Sequence, residues 1–474
     1  MIVLNSSIEE SLLQGITFVG DAIWSYVMVA VLLGCAIWFT IRTRGAQFRM
    51  LRESARLLGD SAVTSDKSGR HVSSFQAFAV SIASRVGTGN LAGVATAIAM
   101  GGPGSIFWMW LIALFGAATS FVESTLAQLF KKPAEDSFIG GPAYYIVKGL
   151  KSRWMAALFA VLISITFGFS YNSIQSNTIC DAMNVAFGID KTVMGIVLTV
   201  MALAIVFGGI QRIARFSSIF VPLMAVGYLI LAIYIICCHI GMLPQVLRLI
   251  IDNAFGFDQA VGGGVGAAMS YGIKRGLFSN EAGEGSTPNI AATASVSHPV
   301  KQGIVQALGV FTDTLVVCSC TAFIILFSGV DWSSGLNGVA LTQAALVSEV
   351  GPVGAVFIAV AIFMFAFSSI IGNYYSGEAN IRYLTDSKAV LFVFRLLSAG
   401  VVVMLGAISG LNLLWALCDI CMALLTAVNL IAIVQLGKYA YRLLDDYRAQ
   451  RRAGVKSPEF HRSSMPELDL DSWE

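Results

Sequence analysis

Charge is what this 474-residue sequence has least of. Only 12% of its residues are Asp, Glu, Lys or Arg, against roughly a quarter in a soluble globular domain. With 56% hydrophobic residues and a mean hydropathy of +0.76, that scarcity excludes a soluble fold and points to a polytopic membrane protein. A formal net charge of +2 gives no hint of a nucleic-acid partner, and no arginine-rich or aromatic-interleaved segment supplies one. No Lys or Arg precedes Arg42, so the N-terminus lacks the positive region of a signal peptide and the first apolar run reads as a retained helix. The eight cysteines all lie in or at the ends of apolar runs. Cys418 and Cys421 form a CxxC, and Cys237–Cys238–His239 is a conceivable soft-metal cluster. Neither has a second pair at zinc-finger spacing, so packing is their expected role. No nucleophile–base pair at catalytic spacing is visible either, which argues against an enzyme.

What is present is a series of long uncharged runs. Residues 22–41 form twenty consecutive uncharged positions, enough to cross a hydrocarbon core of ~30 Å at ~1.5 Å per residue. Further helices are predicted at about 72–100, 105–129, 154–180, 192–210, 216–242, 258–283, 302–329, 350–377, 390–408 and 413–436, an all-α polytopic arrangement of 11 transmembrane helices. Lys and Arg in alternate connections sort 26 to one side and two, Lys191 and Arg248, to the other. By the positive-inside rule this puts the N-terminus outside and the C-terminus in the cytoplasm. The segment from Lys438 is basic and ends in a Ser/Pro/acidic stretch expected to be disordered.

Two of the runs are interrupted. The second carries Arg85–Val86–Gly87–Thr88–Gly89–Asn90–Leu91–Ala92–Gly93 in its middle. Unsatisfied backbone groups cost several kcal/mol each in lipid, so such a break is tolerated only where it is buried in protein or lines a cavity. The seventh has fourteen uncharged residues, 259–272, before Lys274 and Arg275, too short to span, and its break is expected at Gly272–Phe278. If helix 1 is an added element, the breaks occupy matching positions in two five-helix halves, and five being odd, the halves have opposite topology. That pattern marks a secondary transporter with a midplane site. The divisions expected are 1–41 (extra helix), 42–71 (cytoplasmic loop), 72–242 and 243–437 (the two repeats) and 438–474 (cytoplasmic tail).

At the first break, Gly87 and Gly89 let the chain leave the helix, and the N–H groups opening the next half-helix suit a carboxylate. Freed carbonyls near Ala83 and Val86 suit a hard cation, while Thr88 and Asn90 add side-chain oxygens. Gly87, Gly89 and Ala92 also match a dinucleotide fingerprint, but that needs a strand and a soluble βαβ unit. Carbonyls freed at the second break could accept from an ammonium, with Phe278 as an apolar wall; a re-entrant turn with interfacial Lys274 and Arg275 is the alternative. In helix 9, Ser368, Ser369 and Asn373 bring two hydroxyls and an amide to mid-membrane, with Ser369 and Asn373 on one face. A helical serine can instead bond its own i−4 carbonyl. Glu123, Asp313 and Asp419 are intramembrane carboxylates, functional by default, yet each could pair with Arg85 or a neighbouring helix.

At Val86–Gly87–Thr88–Gly89–Asn90–Leu91–Ala92–Gly93–Val94–Ala95, Gly140–Gly141–Pro142–Ala143–Tyr144–Tyr145, Arg275–Gly276–Leu277–Phe278–Ser279–Asn280–Glu281–Ala282–Gly283 and Phe367–Ser368–Ser369–Ile370–Ile371–Gly372, the sequence resembles the alanine/glycine:cation symporter family, also called the sodium:alanine symporters. The similarity runs from helix 1 to helix 11. It implies a leucine-transporter-type 5+5 inverted repeat in a bacterial cytoplasmic membrane, importing alanine or glycine with Na+ by alternating access. Carried over, Thr88, Gly89 and Asn90 would hold the substrate carboxylate, and Gly272, Gly276 and Phe278 would surround the amine and side chain. Ala83 and Val86 carbonyls with Ser368 and Ser369 hydroxyls would bind Na+, and Gln175 would line the cavity. Many members carry Trp where this chain has Asn373, a change that enlarges the pocket, adds an amide and suggests a larger polar substrate such as glutamine. Coupling to H+ through Asp313 or Glu123, and a channel in place of a carrier, are the competing functions.

Overall fold

The computed structural model describes residues 6–59, 72–134, 137–256 and 262–473. The start of the seventh helix near Asp258 and the polar stretch 60–71 therefore lie outside the described residues. The chain is almost wholly helical; among the described residues its strands are one two-residue hairpin, Lys132–Pro133 against Phe138–Ile139. Polarity is arranged inside out. Val200, Ile230, Val353 and Leu405 are more than half exposed, while Arg85, Glu123, Glu281, Glu284 and Asp313 are buried, as expected of a bundle whose outer surface meets lipid.

α1 (Ser6–Ile23) and α2 (Val29–Arg42) are joined through a π-helical turn. α3 (Leu51–Leu58) follows, and then α4 (Ser74–Arg85), which opens on a reciprocal capping box between Ser73 and Gln76. The helix stops at Val86, where the backbone becomes extended (φ −76°, ψ 96°). It resumes as a π-helical turn, Gly89–Gly93, and α5 (Val94–Gly101). α6 (Ser105–Leu129), α7 (Asn172–Phe187) and α8 (Gly209–Cys238) complete the first half of the chain's main elements. In the second half come α9 (Gly262–Asn280), the short α10 (Thr287–Ala291), α11 (Pro299–Val310), α12 (Val353–Leu384) and α13 (Leu411–Arg452).

Among the described residues six helices are long and apolar enough to cross a membrane, or seven if the pair Pro222–Cys238 and Ile240–Phe255, bent by 72°, counts as one. This is fewer than the eleven expected because the interrupted helices are divided into pieces too short to qualify, such as the 12-residue α4, and because Lys191–Val206 has only 16 residues.

Three expectations are corrected. The second break is not at Gly272–Phe278, since α9 is helical through Asn280; the chain turns at Glu281–Ser286, with φ of 55° at Glu281, 97° at Gly283 and 82° at Gly285. Gly272 and Gly276 instead let α9 close on α6: a Cβ at Gly272 would lie 2.7 Å from the Trp108 side chain, and one at Gly276 2.8 Å from Ile112. Small residues at a close helix crossing are the membrane form of packing. Second, the alternative of an interfacial turn at Lys274 and Arg275 does not hold, since both are buried within α9: Arg275 pairs with Asp419 at 2.8 Å, and Lys274 with Asp21 at 2.9 Å. Third, the C-terminal stretch is ordered. Phe460, Met465, Leu468 and Leu470 are buried, and Trp473 Nε1 donates to the carbonyls of Gln128 and Leu129 at 3.1 Å each.

Val72, before α4, forms a parallel bridge to Ala294, beyond α10, and Gly89, past the first break, lies against Phe278 and Ser279, ahead of the second, so the two broken segments pack against each other at both places.

Candidate functional site

The site is assembled where the first break, the end of α9, α7 and α12 meet. At the break the freed backbone donors find side-chain partners: Gly87 N–H donates to Asn90 Oδ1 and Thr88 N–H to Gln175 Oε1, both at 2.9 Å. Gly87 has no room for a side chain, because a Cβ there would meet Ser369 Oγ and Gln175. The Thr88 hydroxyl is buried without a partner. Gly89 is equally confined: a Cβ on it would stand 3.1 Å from Phe278 and 3.0 Å from Ser279 Cα.

Asn90 is committed at both ends of its amide. While Oδ1 accepts from Gly87, Nδ2 donates to Asp313 Oδ1 at 2.8 Å. The same carboxylate accepts from Ser279 Oγ at 2.7 Å and Thr314 Oγ1 at 2.9 Å. Asn90 thus pins the broken backbone to α9 and to the π-helical segment Phe311–Cys318.

The oxygens singled out for a cation sit close together. Ser369 Oγ lies 2.9 Å from the Ala83 carbonyl, 3.3 Å from that of Val86 and 3.1 Å from Phe365 O. Ser368 Oγ lies 2.8 Å from Phe365 O and 3.5 Å from Ala83 O. Each serine therefore bonds within its own helix and also faces the carbonyls freed by the first break. One turn along, Asn373 Oδ1 is 3.0 Å from Ser84 Oγ, which is itself 2.8 Å from Glu281 Oε1. Asn373 Nδ2 is buried with no partner, a donor free for something else.

Phe278 is a wall residue: its ring centroid lies 4.6 Å from Tyr171 and 4.8 Å from Trp415. Beyond Trp415 the Arg275 guanidinium rests on the indole at 3.8 Å, closing a layered stack of Phe278, Trp415 and the Arg275–Asp419 pair. Gly272 and Gly276 are not brought into this cluster.

Sequence reasoning missed Trp415, Tyr171, Glu281 and Glu284. The last two were legible as further carboxylates in the Ser279–Asn280–Glu281–Ala282–Gly283–Glu284 block, and the structure supplies their partners. Ser286 Oγ donates to Glu281 Oε2, and Tyr171 OH to Glu284 at 3.1 Å. Glu123 accepts from Gly283 N–H at 3.1 Å and Asn429 Nδ2 at 2.8 Å. Arg85 is held by Thr287 Oγ1 at 2.8 Å, Ser120 Oγ at 3.2 Å and the Gln306 carbonyl at 3.2 Å. Among the described residues no carboxylate stands within ion-pair distance of it. Buried polar groups are costly unless bonded, and here they bond the short α10 and the chain after the second break to α4 and α6.

A bundle of apolar-faced helices, two of them broken, around a polar centre is the architecture of a class of membrane carrier, and the same fold recurs among solved structures. MhsT in complex with L-phenylalanine aligns with a TM-score of 0.58 at 14% identity, covering 79% of this chain and 96% of that one. A mutant form of the manganese transporter of Eremococcus coleocola aligns at 0.53 and 13%, covering 84% and 92%. At such identities it is the fold that is shared, the leucine-transporter type. The particular family follows from sequence: the model of the sodium:alanine symporter family matches residues 9–462, and this chain belongs to that family. Its relatives include the Bacillus subtilis protein named probable sodium/glutamine symporter GlnT, 51% identical over 94% of this chain and 92% of the relative. The amino-acid carrier protein AlsT of the same organism is 47% identical, with 96% of each covered. The sodium/alanine symporter AgcS of Methanococcus maripaludis is 34% identical over 88% and 93%. The protein is thus an integral membrane transporter of a sodium/amino-acid symporter family, not an enzyme, and Na+ is the ion its family co-transports.

Proposed function

We propose that this protein imports a small neutral amino acid together with Na+ by alternating access across a bacterial cytoplasmic membrane, and that glutamine is among its substrates. In this reading the chain crosses the membrane eleven times, N-terminus outside and C-terminus inside. An added first helix (1–41) and a cytoplasmic loop (42–71) precede inverted halves at 72–242 and 243–437, and a cytoplasmic tail (438–474) follows them. The single observation that carries it is the convergence of Ser369 Oγ with the Ala83 and Val86 carbonyls, at 2.9 and 3.3 Å, directly beside the Gly87–Asn90 break. Neutral hydroxyl and carbonyl oxygens are the ligands a hard monovalent cation takes. In this mechanism Ser368, Ser369, Ala83 and Val86 hold Na+. The substrate carboxylate lies against the half-helix opening at Thr88 and Gly89, and Phe278 covers its side chain. Gln175 and Asn90 keep the break in shape. Ion and substrate meet at the same bend, so each favours the closed geometry the other needs, which is how binding of one raises affinity for the other.

The unpartnered Asn373 amide nitrogen supports glutamine, since it can donate to a side-chain carbonyl that alanine and glycine lack. The name of the Bacillus subtilis GlnT relative points the same way. Uptake of alanine, glycine, serine and glutamine into proteoliposomes, under a Na+ gradient and then a proton gradient alone, tests the reading. Accumulation against a gradient distinguishes a carrier from a channel. Asn373→Trp should abolish glutamine uptake while sparing glycine; an unchanged ratio of the two would sink the glutamine claim. Asp313, a carboxylate buried beside the first break, is the residue that the second reading, H+ as coupling ion, would use. Robust uptake without Na+ would establish it.

A further inference from the structure

Away from the transport site, positive charge gathers where the first and last long helices end together. After α2 the chain forms the short helix Ala46–Arg49 and α3, which lie against the far end of α13. Tyr447 OH donates to Glu53 at 2.8 Å, and Arg448 donates to the Thr43 carbonyl at 3.0 Å. Between them is a cavity of about 230 Å³ lined by Arg49, Arg448, Arg451 and Arg452, with Glu53 the one carboxylate on its wall. That carboxylate is already shared by Arg56 at 2.9 Å, Arg451 at 3.3 Å and Tyr447. Among the described residues neither the Arg49 nor the Arg452 side chain has an ion-pair or hydrogen-bond partner. Burial and the charges of Arg49, Arg44 and Arg452 oppose the charge of Arg448, while Asp445 favours it; Asp445 lies 3.9 Å from Arg44, with both side chains well exposed. Like charges held this close call for an anion, and guanidinium forks match the oxygens of a phosphate.

The surroundings say which phosphate. Phe48 is 45% exposed and Leu51 44%, so the same short helices present apolar side chains outward. Next to them Arg42 lies over the rings of Trp38 and Tyr441 at 5.5 and 5.0 Å, the mixture of basic and aromatic residues typical of a membrane–water boundary. A free phosphate has nothing to place against Phe48 and Leu51; a lipid does. We propose that this cavity binds the headgroup phosphate of an anionic phospholipid, whose acyl chains run along the α2–α13 surface. The site joins the N-terminal helix to the last one, so an occupied site ties the added helix to the transport bundle.

The test is titration of the purified full-length protein with phosphatidylglycerol and with phosphatidylcholine, read by native mass spectrometry. Wild type should bind phosphatidylglycerol in clear preference. Arg49→Gln/Arg448→Gln/Arg452→Gln should weaken it by about fivefold per arginine removed, with an unchanged melting temperature in phosphatidylcholine as the control for folding. If the triple variant melts early, Arg452→Gln alone, at the end of its helix, should still show the fivefold loss. Phosphatidylglycerol affinity within twofold of wild type in a folded variant would overturn the proposal. So would its displacement by millimolar inorganic phosphate, which would assign the cavity to a small anion.

Discussion

Single residues carry the clearest consequences. Ser369 faces both the Ala83 and Val86 carbonyls, so Ser369→Ala removes one cation oxygen and leaves the groups assigned to the substrate in place. The expected result is a rise of about tenfold in the Na+ concentration for half-maximal uptake, equivalent to ~1.4 kcal/mol and typical of one hydrogen bond to a charged group, with the alanine-to-glutamine ratio little changed. Flux measured against Na+ checks it. Arg275 offers the opposite case, a buried cation whose partner is far along the chain. Arg275→Met leaves Asp419 without its main counter-ion, with Lys274 at 3.9 Å as partial compensation. Breaking a buried pair from one side costs roughly 3–5 kcal/mol, here at the lower end. The temperature of inactivation in detergent should fall clearly for the single variant and recover in Arg275→Met/Asp419→Leu, because the double variant leaves neither member of the pair buried alone. The existence of Asp419 as an intramembrane carboxylate was legible from the sequence. Its partner was not, because residues 144 positions apart meet only through packing.

At the scale of elements, the two interruptions were legible to different degrees. The first was located correctly because glycines, a threonine and an asparagine crowd into an apolar run, and no continuous helix needs them. The second was displaced by several residues because Gly272 and Gly276 look like breakers but serve as contact surface against α6, and glycine spacing alone does not distinguish a bend from a close crossing. The actual turn uses Gly283 and Gly285 at positive φ, where side chains are strained. Substitutions should separate the two roles. Gly285→Ala meets Phe159 and Pro142 at 2.8 Å in a backbone conformation that alanine disfavours, so we expect transport and folded yield to be lost together. Gly276→Ala presses chiefly on the Ile112 side chain and should cost about 1–3 kcal/mol of stability, as overpacking does. Its transported substrates should stay the same, as uptake competition would verify.

For the whole molecule, the tail is the feature composition misjudged. Its charged and Ser/Pro-rich stretch reads as disordered by composition, yet Phe460, Met465, Leu468 and Leu470 are buried. Phe460 N–H donates to Ser297 O, and Lys148 pairs with Asp471. Burial of these apolar side chains together with the tail's hydrogen bonds and ion pair offsets conformational entropy that composition alone leaves unopposed. Deleting residues 457–474 should therefore lower the melting temperature of the purified protein by several degrees; an unchanged melting curve would show that the tail contributes nothing to the fold. By itself the sequence determined that this chain lives in a membrane, where its first interruption falls and to which family it belongs, because hydropathy, glycine crowding and motif identity are local properties. Only the tertiary structure decided which carboxylate meets which cation, that Asn90 is locked to Asp313, that α9 stays helical to Asn280 and that the tail docks. Each of these depends on groups distant in sequence being brought within hydrogen-bond or van der Waals range, and no local pattern encodes which distant surface a residue will face.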